Sequence, residues 1–249
     1  MKLYSLLFIG LLLSGCLNTT PVTNREQVVF MSPSEESKLG ETSYKEILAK
    51  SKLSADKVQT ERIRRIGQRI AIAADKKDFA WEFNLVEDKQ VNAFCLPGGK
   101  VVVYTGILGI AQNDDQLATV MSHEVAHALA RHGAERMSHQ QISGVVQSIG
   151  SVLVKGYAPE YGSTFDTAYS TGVNVGIMLP FSRSHENEAD EIGIHLMKKA
   201  GYNIQEAISF WENMKKMKGG ESQNAFFSTH PSDDERIKKI SLLVKALNK

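Results

Sequence analysis

The 249-residue chain has little cysteine (two residues), little proline (six) and no unbroken apolar stretch longer than the eight residues 6–13. Two cysteines, one of them close to the start, exclude a fold stapled by several disulfides. The apolar stretch is too short to cross a bilayer as a helix, which takes about 20 residues. Neither sign of charge prevails. Lys2 is the one charged residue among the first fifteen, and the remainder carries 28 basic and 28 acidic residues. A chain so balanced offers no electrostatic field for nucleic acid, and no nucleic-acid partner is expected. No repeat with a period of about 20–50 residues is present, which excludes a solenoid. What is there is an ordinary globular composition, 42% hydrophobic and 23% charged, sufficient for one sizeable core.

The start of the chain has the layout of a targeting segment. Lys2 precedes the apolar residues 6–13, and Ser14-Gly15 supplies small residues before Cys16. Residues 1–15 are therefore expected to be a removable signal. Leu13-Ser14-Gly15-Cys16 resembles the lipobox of bacterial lipoproteins, and a plain secretory leader is the alternative. The resemblance implies a lipid on Cys16, and Leu17 in place of Asp implies an outer-membrane anchor facing the periplasm. Residues 16–30 begin polar and rich in breakers, as a flexible tether would, leaving 31–249 as a single domain. Cys95 reads as a small buried hydrophobe.

Periodicity predicts a mainly helical α+β fold. Ser32-Pro33-Ser34-Glu35 combines a capping-box spacing with proline at the first helical position and predicts a helix to about Lys50. Val58, Ile63, Ile66, Ile70 and Ala73 give a second helix, whose arginines read as a solvated face. Trp81–Val86, Asn92–Leu96 and Lys100–Thr105, with the turn Pro97-Gly98-Gly99, predict a small antiparallel sheet beside the next helix. Asn113 or Asp114 caps that helix and Gly133 can end its first part. Residues 134–155 look helical and apolar on one side. Gly156–Pro180 has little periodicity and reads as a long loop, a place for a lid. Helices then follow over Ser184–Ala200, from Asn203 onward and from Ser232 to about Leu247.

The third of these helices carries His123-Glu124-Val125-Ala126-His127. At about 100° per residue His123 and His127 project from one face, with Glu124 beside them. Two imidazoles so placed can share a metal ion while the carboxylate reaches a water, as in a zinc hydrolase. Chance can also put two histidines one turn apart, so a third ligand is required. The best candidate lies in Phe181–Asp190, where Glu186 and Asp190 share a helix face, Glu186 as a ligand and Asp190 as acceptor for the second N–H of a zinc-bound histidine, His123; a solvated acidic face is the alternative. Glu188, about 200° around the helix, is the alternative ligand. His185 and His195 read as exposed or helix-end residues. Two histidines and a carboxylate also suit iron, but Glu124 favours zinc and hydrolysis.

Four segments in order, Asn92–Gly99, His123–His127, Glu186–Asp190 and Ser228–Pro231 with Arg236, resemble the gluzincin metalloendopeptidases of the CAAX prenyl protease, HtpX and Oma type. Closest is the soluble periplasmic branch with LoiP and BepA. The resemblance implies one zinc per chain on His123, His127 and Glu186, with Glu124 as general base and Asp190 behind the ligands. It places His230 near the site as a donor to the oxyanion; without it, His230 is a loop residue. Cys95 departs from a frequent alanine. The chain stops at Lys249, where BepA-like chains go on into tetratricopeptide repeats, which favours the compact form. An extended polypeptide substrate is expected to add as a strand along Asn92, Ala93, Phe94 and Cys95. A second class of function stays open: an assembly factor or chaperone for outer-membrane proteins, with hydrolysis secondary.

Overall fold

The computed structural model describes residues 17–157, 163, 182–217, 226, 228, 230 and 234–249. Cys16, the signal segment and most of the expected lid, residues 158–162 and 164–180, lie outside the described residues. The chain opens with a hairpin, β1 (Leu17–Thr19) paired antiparallel with β2 (Glu26–Val28). Helix α1 (Pro33–Lys50) starts as its capping box requires: the Glu35 N–H donates to Ser32 Oγ, and the Ser32 N–H donates to the Glu35 carboxylate at 2.8 Å. Helix α2 (Lys57–Ala74) is capped by Asp56 and buries Ile63, Ile66 and Ile70, while Val58 is exposed. Its arginines are not only a solvated face. Arg62 and Arg65 pair with Asp114, and Arg69 donates to the Ala200 carbonyl and lies over the Tyr202 ring.

Strands β3 (Glu82–Val86), β4 (Ala93–Leu96) and β5 (Lys100–Tyr104) form a sheet in the order β3-β5-β4. The fold is α+β and mainly helical as expected, but the sheet is mixed: β4 runs antiparallel to β5 from Ala93 opposite Val103, whereas β3 runs parallel to it from Glu82 opposite Lys100. The reason is readable in β5. Val101, Val102 and Val103 are all fully buried, the continuous apolar run of a strand covered on both faces, so β5 takes the middle. Phe94, Leu96 and Val102 face Tyr44 of α1, while Ala93, Val101 and Val103 face the main core. The β4–β5 turn closes with the Gly99 N–H on the Leu96 carbonyl, and Gly98, with φ +82°, takes the position that a side chain would strain.

Helix α3 (Asp114–Leu129) runs through the centre and is buried at every position from Gln116 to Ala128. It ends earlier than Gly133. Arg131 adopts a left-handed φ of +56°, and its guanidinium is held by Glu36, Asn18 and the Met31 carbonyl. Helix α4 (His132–Tyr157) starts immediately after, and much of its apolar side (Val145, Ile149, Val152) is exposed. Helix α5 (Arg183–Lys199) packs on α3, followed by α6 (Glu206–Met217) and α7 (Asp234–Leu247). The α3–α5 approach depends on Gly193: a Cβ there would lie 3.1 Å from the His123 nitrogen and 3.2 Å from its Cα. Those atoms belong to a buried helix backbone that cannot give way. Gly193→Ala is therefore expected to cost about 1–3 kcal/mol, read as a lower urea midpoint at an unchanged slope.

The segment expected to be a flexible tether is instead the β1–β2 hairpin, docked on α4 and α5. Thr20 and Gln27 are buried, and the Phe30 N–H donates to Ser138 of α4. Polar composition concealed this, because the hairpin docks through hydrogen bonds of polar and charged groups, Thr20, Thr23 and Arg25 on Glu188 and Arg25 on Glu135.

Candidate metal centre and active site

His123 and His127 stand one turn apart on α3, fixed in a helix without freedom to part. Glu186 comes from the first turn of α5, and His230 from the segment between α6 and α7. All four are buried, and one ligand atom of each lies within 4.8 Å of the others. The Nε2 atoms of His123 and His127 are 3.1 Å apart. Glu186 Oε2 is 3.4 Å from His123 Nε2, and Oε1 is 3.3 Å from His127 Nε2. His230 Nδ1 is 3.4 Å from His123 Nε2 and 3.0 Å from Glu186 Oε1. Bonds of about 2.0–2.1 Å to a tetrahedral zinc put ligand atoms about 3.3 Å from each other. The residues fit that ion in chemistry, three nitrogens and a carboxylate, and the separations given above lie near that value.

Glu124 is buried beside this cluster and outside it. Its Oε1 makes no hydrogen bond among the described residues and lies 3.5 Å from His230 Nε2. Burial pushes its carboxyl up to about 7; His230 opposes the rise, Glu186 adds to it and Arg236 opposes it. Such a group takes up and releases a proton near neutral pH. For Glu186 burial acts upward, but the hydrogen bonds of His123, His127 and His230 dominate and hold the carboxylate well below its usual range.

Asp190 Oδ1 lies 3.0 Å from His123 Nδ1, and Arg236 of α7 donates to both Asp190 oxygens, at 2.5 and 2.8 Å. Arg236 Nη1 also lies 2.7 Å from Glu186 Oε2, and its guanidinium sits 3.8 Å over the Trp211 ring. Glu188 is not in the cluster. It turns to the other side of α5, to Thr20, Thr23, Arg25 and His132. His185 is buried and bonds Glu135 at 3.0 Å, not exposed as its helix-end position suggested, and His195 is half-buried. The structure thus brings His123, Glu124, His127, Glu186, Asp190 and His230 together. Where an oxyanion donor is expected, His230 sits at ligand distance, so that role would require its ring to withdraw.

Among the described residues strand β4 is the open edge of its sheet, and α3 packs against it. The Tyr104 N–H donates to the Asn92 carbonyl, so alternation turns the backbone groups of Ala93 and Cys95 to the open edge. Cys95 is half-buried and packs against the main core, and burial, with Glu124 nearby, raises its thiol far above its ordinary value. Reading the sequence missed Arg236 as the partner of Asp190, and it missed His132, Glu135, Arg25, Thr20 and Thr23 entirely. No local signal marks them, because each meets its partner across elements.

The family model described as peptidase family M48 matches residues 57–244. The chain is 35% identical to the mitochondrial metalloendopeptidase OMA1 of Schizosaccharomyces pombe over 90% of its length and 65% of that protein's. The OMA1 of Saccharomyces cerevisiae is also 35% identical, over 94% of this chain and 73% of its own. The beta-barrel assembly-enhancing protease of Escherichia coli is 29% identical over 83% of this chain and 43% of its own. The chain therefore spans from under half to nearly three quarters of the length of these relatives.

Proposed function

The chain belongs to peptidase family M48, a family of zinc-dependent metalloproteases, and on that premise we propose that it hydrolyses peptide bonds within unfolded or misassembled proteins of a bacterial envelope. One observation carries the chemistry: His123, His127 and Glu186 bring ligand atoms to 3.1–3.4 Å of one another, with a Glu124 oxygen that bonds none of the described residues beside them. These three residues would hold zinc, which when bound supplies Lewis acidity towards water and towards the scissile carbonyl. Glu124 takes the proton from the attacking water and delivers it to the leaving amine. Asp190 accepts the Nδ1–H of His123, which keeps its Nε2 lone pair directed at the ion. His230, once its ring has left the cluster, is the donor for the oxyanion. The substrate pairs with the open edge of β4 through the backbone of Ala93 and Cys95, with Asn92 and Phe94 turned towards β5. Main-chain pairing is blind to side chains, which suits unfolded segments.

The protein's place in the cell is part of the proposal. Cys16 carries a lipid that holds the chain to a membrane, the outer one, with the domain in the periplasm. Among the described residues no helix is long and apolar enough to cross a membrane. The relative in Escherichia coli is named for enhancing β-barrel assembly, which supports a second reading, an assembly factor for outer-membrane proteins with secondary proteolysis.

The purified chain is expected to hold one zinc and to cleave casein. A chelator should abolish cleavage and added zinc restore it, and Glu186→Gln should lose the metal. Cleavage that survives complete removal of metal would overturn the reading.

A further inference from the structure

We propose that the N-terminal hairpin, Leu17–Val28, is a working part of the metal site, positioning the ring of His127 through Arg25, Glu188 and His132. The proposal rests on the reading of His127 as a metal ligand. With His127 Nε2 facing Glu186, its other nitrogen, Nδ1, lies 2.9 Å from Nδ1 of His132. Two facing ring nitrogens bond only when one carries the proton. His127 with a metal-directed Nε2 lone pair carries it on Nδ1 and donates to His132. His132 then has its own proton on Nε2, which lies 3.0 Å from Glu188 Oε2, an acceptor whatever its surroundings. The three groups thus have one self-consistent arrangement of protons.

Glu188 is fixed in turn by the hairpin. Thr20 donates to its Oε1 at 2.6 Å, Thr23 donates to the same oxygen, and Arg25 Nε donates to Oε2 at 2.7 Å. The two terminal nitrogens of Arg25 fork onto both oxygens of Glu135, at 2.8 and 2.7 Å, and Glu135 also bonds His185. One guanidinium therefore serves two buried carboxylates, Glu135 on α4 and Glu188 on α5. His132, Glu135 and Glu188 are no more than 5% exposed, and the Arg25 side chain that joins the two carboxylates is 32% exposed, so the solvent-facing end of this line of bonds is the arginine.

The two histidines of α3 are held from behind in parallel ways. His123 is backed by Asp190 and then by Arg236 of the last helix. His127 is backed by His132, Glu188 and then Arg25 of the first hairpin. Each line ends in an arginine, and the two arginines come from opposite ends of the chain. Removing an outer partner of a metal-binding histidine typically weakens metal binding 10- to 100-fold.

The test uses the full chain and its Arg25→Ala, His132→Phe and Glu188→Gln variants. Zinc affinity is measured by competition with a chromophoric chelator, and folding of the zinc-free protein by urea. Arg25→Ala and His132→Phe are expected to bind zinc about 10- to 100-fold more weakly. In zinc-loaded wild type a slowly exchanging His127 Nδ1 proton should be seen by ¹⁵N-edited NMR, and it should be lost in His132→Phe. If either variant does not fold, Glu188→Gln, which keeps the shape of the side chain, carries the test. Folded variants with wild-type zinc affinity would overturn the proposal, as would lowered stability with unchanged affinity. A wild-type chain that binds no zinc overturns the metalloprotease reading itself, which is a different result.

Discussion

Glu124→Gln is expected to keep its zinc and to lose about 10²-fold or more in kcat. The two halves of that result come from different features. Glu124 is not among the four clustered ligand residues, so its amide analogue leaves the metal-binding atoms in place. An amide cannot accept the proton of the attacking water, so the chemical step slows while substrate pairing along β4 is untouched, and KM should change little. The variant should also be no less stable than wild type. The Glu124 carboxyl is buried, one of its oxygens has no hydrogen bond among the described residues, and its charge is opposed by burial, so a neutral group there is no harder to bury. Steady-state cleavage of a fluorogenic peptide, metal analysis and a urea titration read the three quantities. Full cleavage by Glu124→Gln would remove Glu124 from the mechanism, and loss of zinc would move it into the ligand set.

Arg236→Ala should have the largest effect on stability, about 3–5 kcal/mol in the zinc-free protein. Its guanidinium is the buried cation between Asp190 and Glu186, and truncation leaves two buried carboxylates with only the histidines of the cluster beside them. It also strips the cation from the face of Trp211. Zinc should recover part of the loss, because a ligand that binds only the folded state stabilises it, and a dication offsets the charge of Glu186. Arg236→Lys should rescue little, since an ammonium cannot fork onto Asp190 while reaching Glu186. Urea unfolding with and without zinc measures both quantities. A loss below about 1 kcal/mol in the zinc-free form would mean that the carboxylates find other partners.

The acidic residues of α5 show where reading the sequence stops. Helix geometry establishes that Glu186 and Asp190 share a face and that Glu188 looks the other way. It cannot say which face meets the histidines. Gly193 held a clue, because it continues the stripe of Glu186 and Asp190, and a glycine inside a helix often marks a close approach. That is where α5 touches His123. The triple valine of β5 held another, the mark of a central strand, which the plain antiparallel reading passed over.

What the sequence by itself determined was local: the caps of α1 and α3, the turn at Gly98, the common face of His123 and His127, and the pairing of Glu186 with Asp190. These follow from backbone geometry over a few residues, which any helix or turn of this sequence must obey. Only the tertiary structure decided the rest. It chose Glu186 over Glu188 for the cluster, brought His230 to ligand distance, set Arg236 beneath Asp190, and docked Arg25 on Glu135 and Glu188, far away along the chain. Those partners are charged groups buried against each other, and a charge that finds its partner across the fold looks, in sequence, the same as one that faces water.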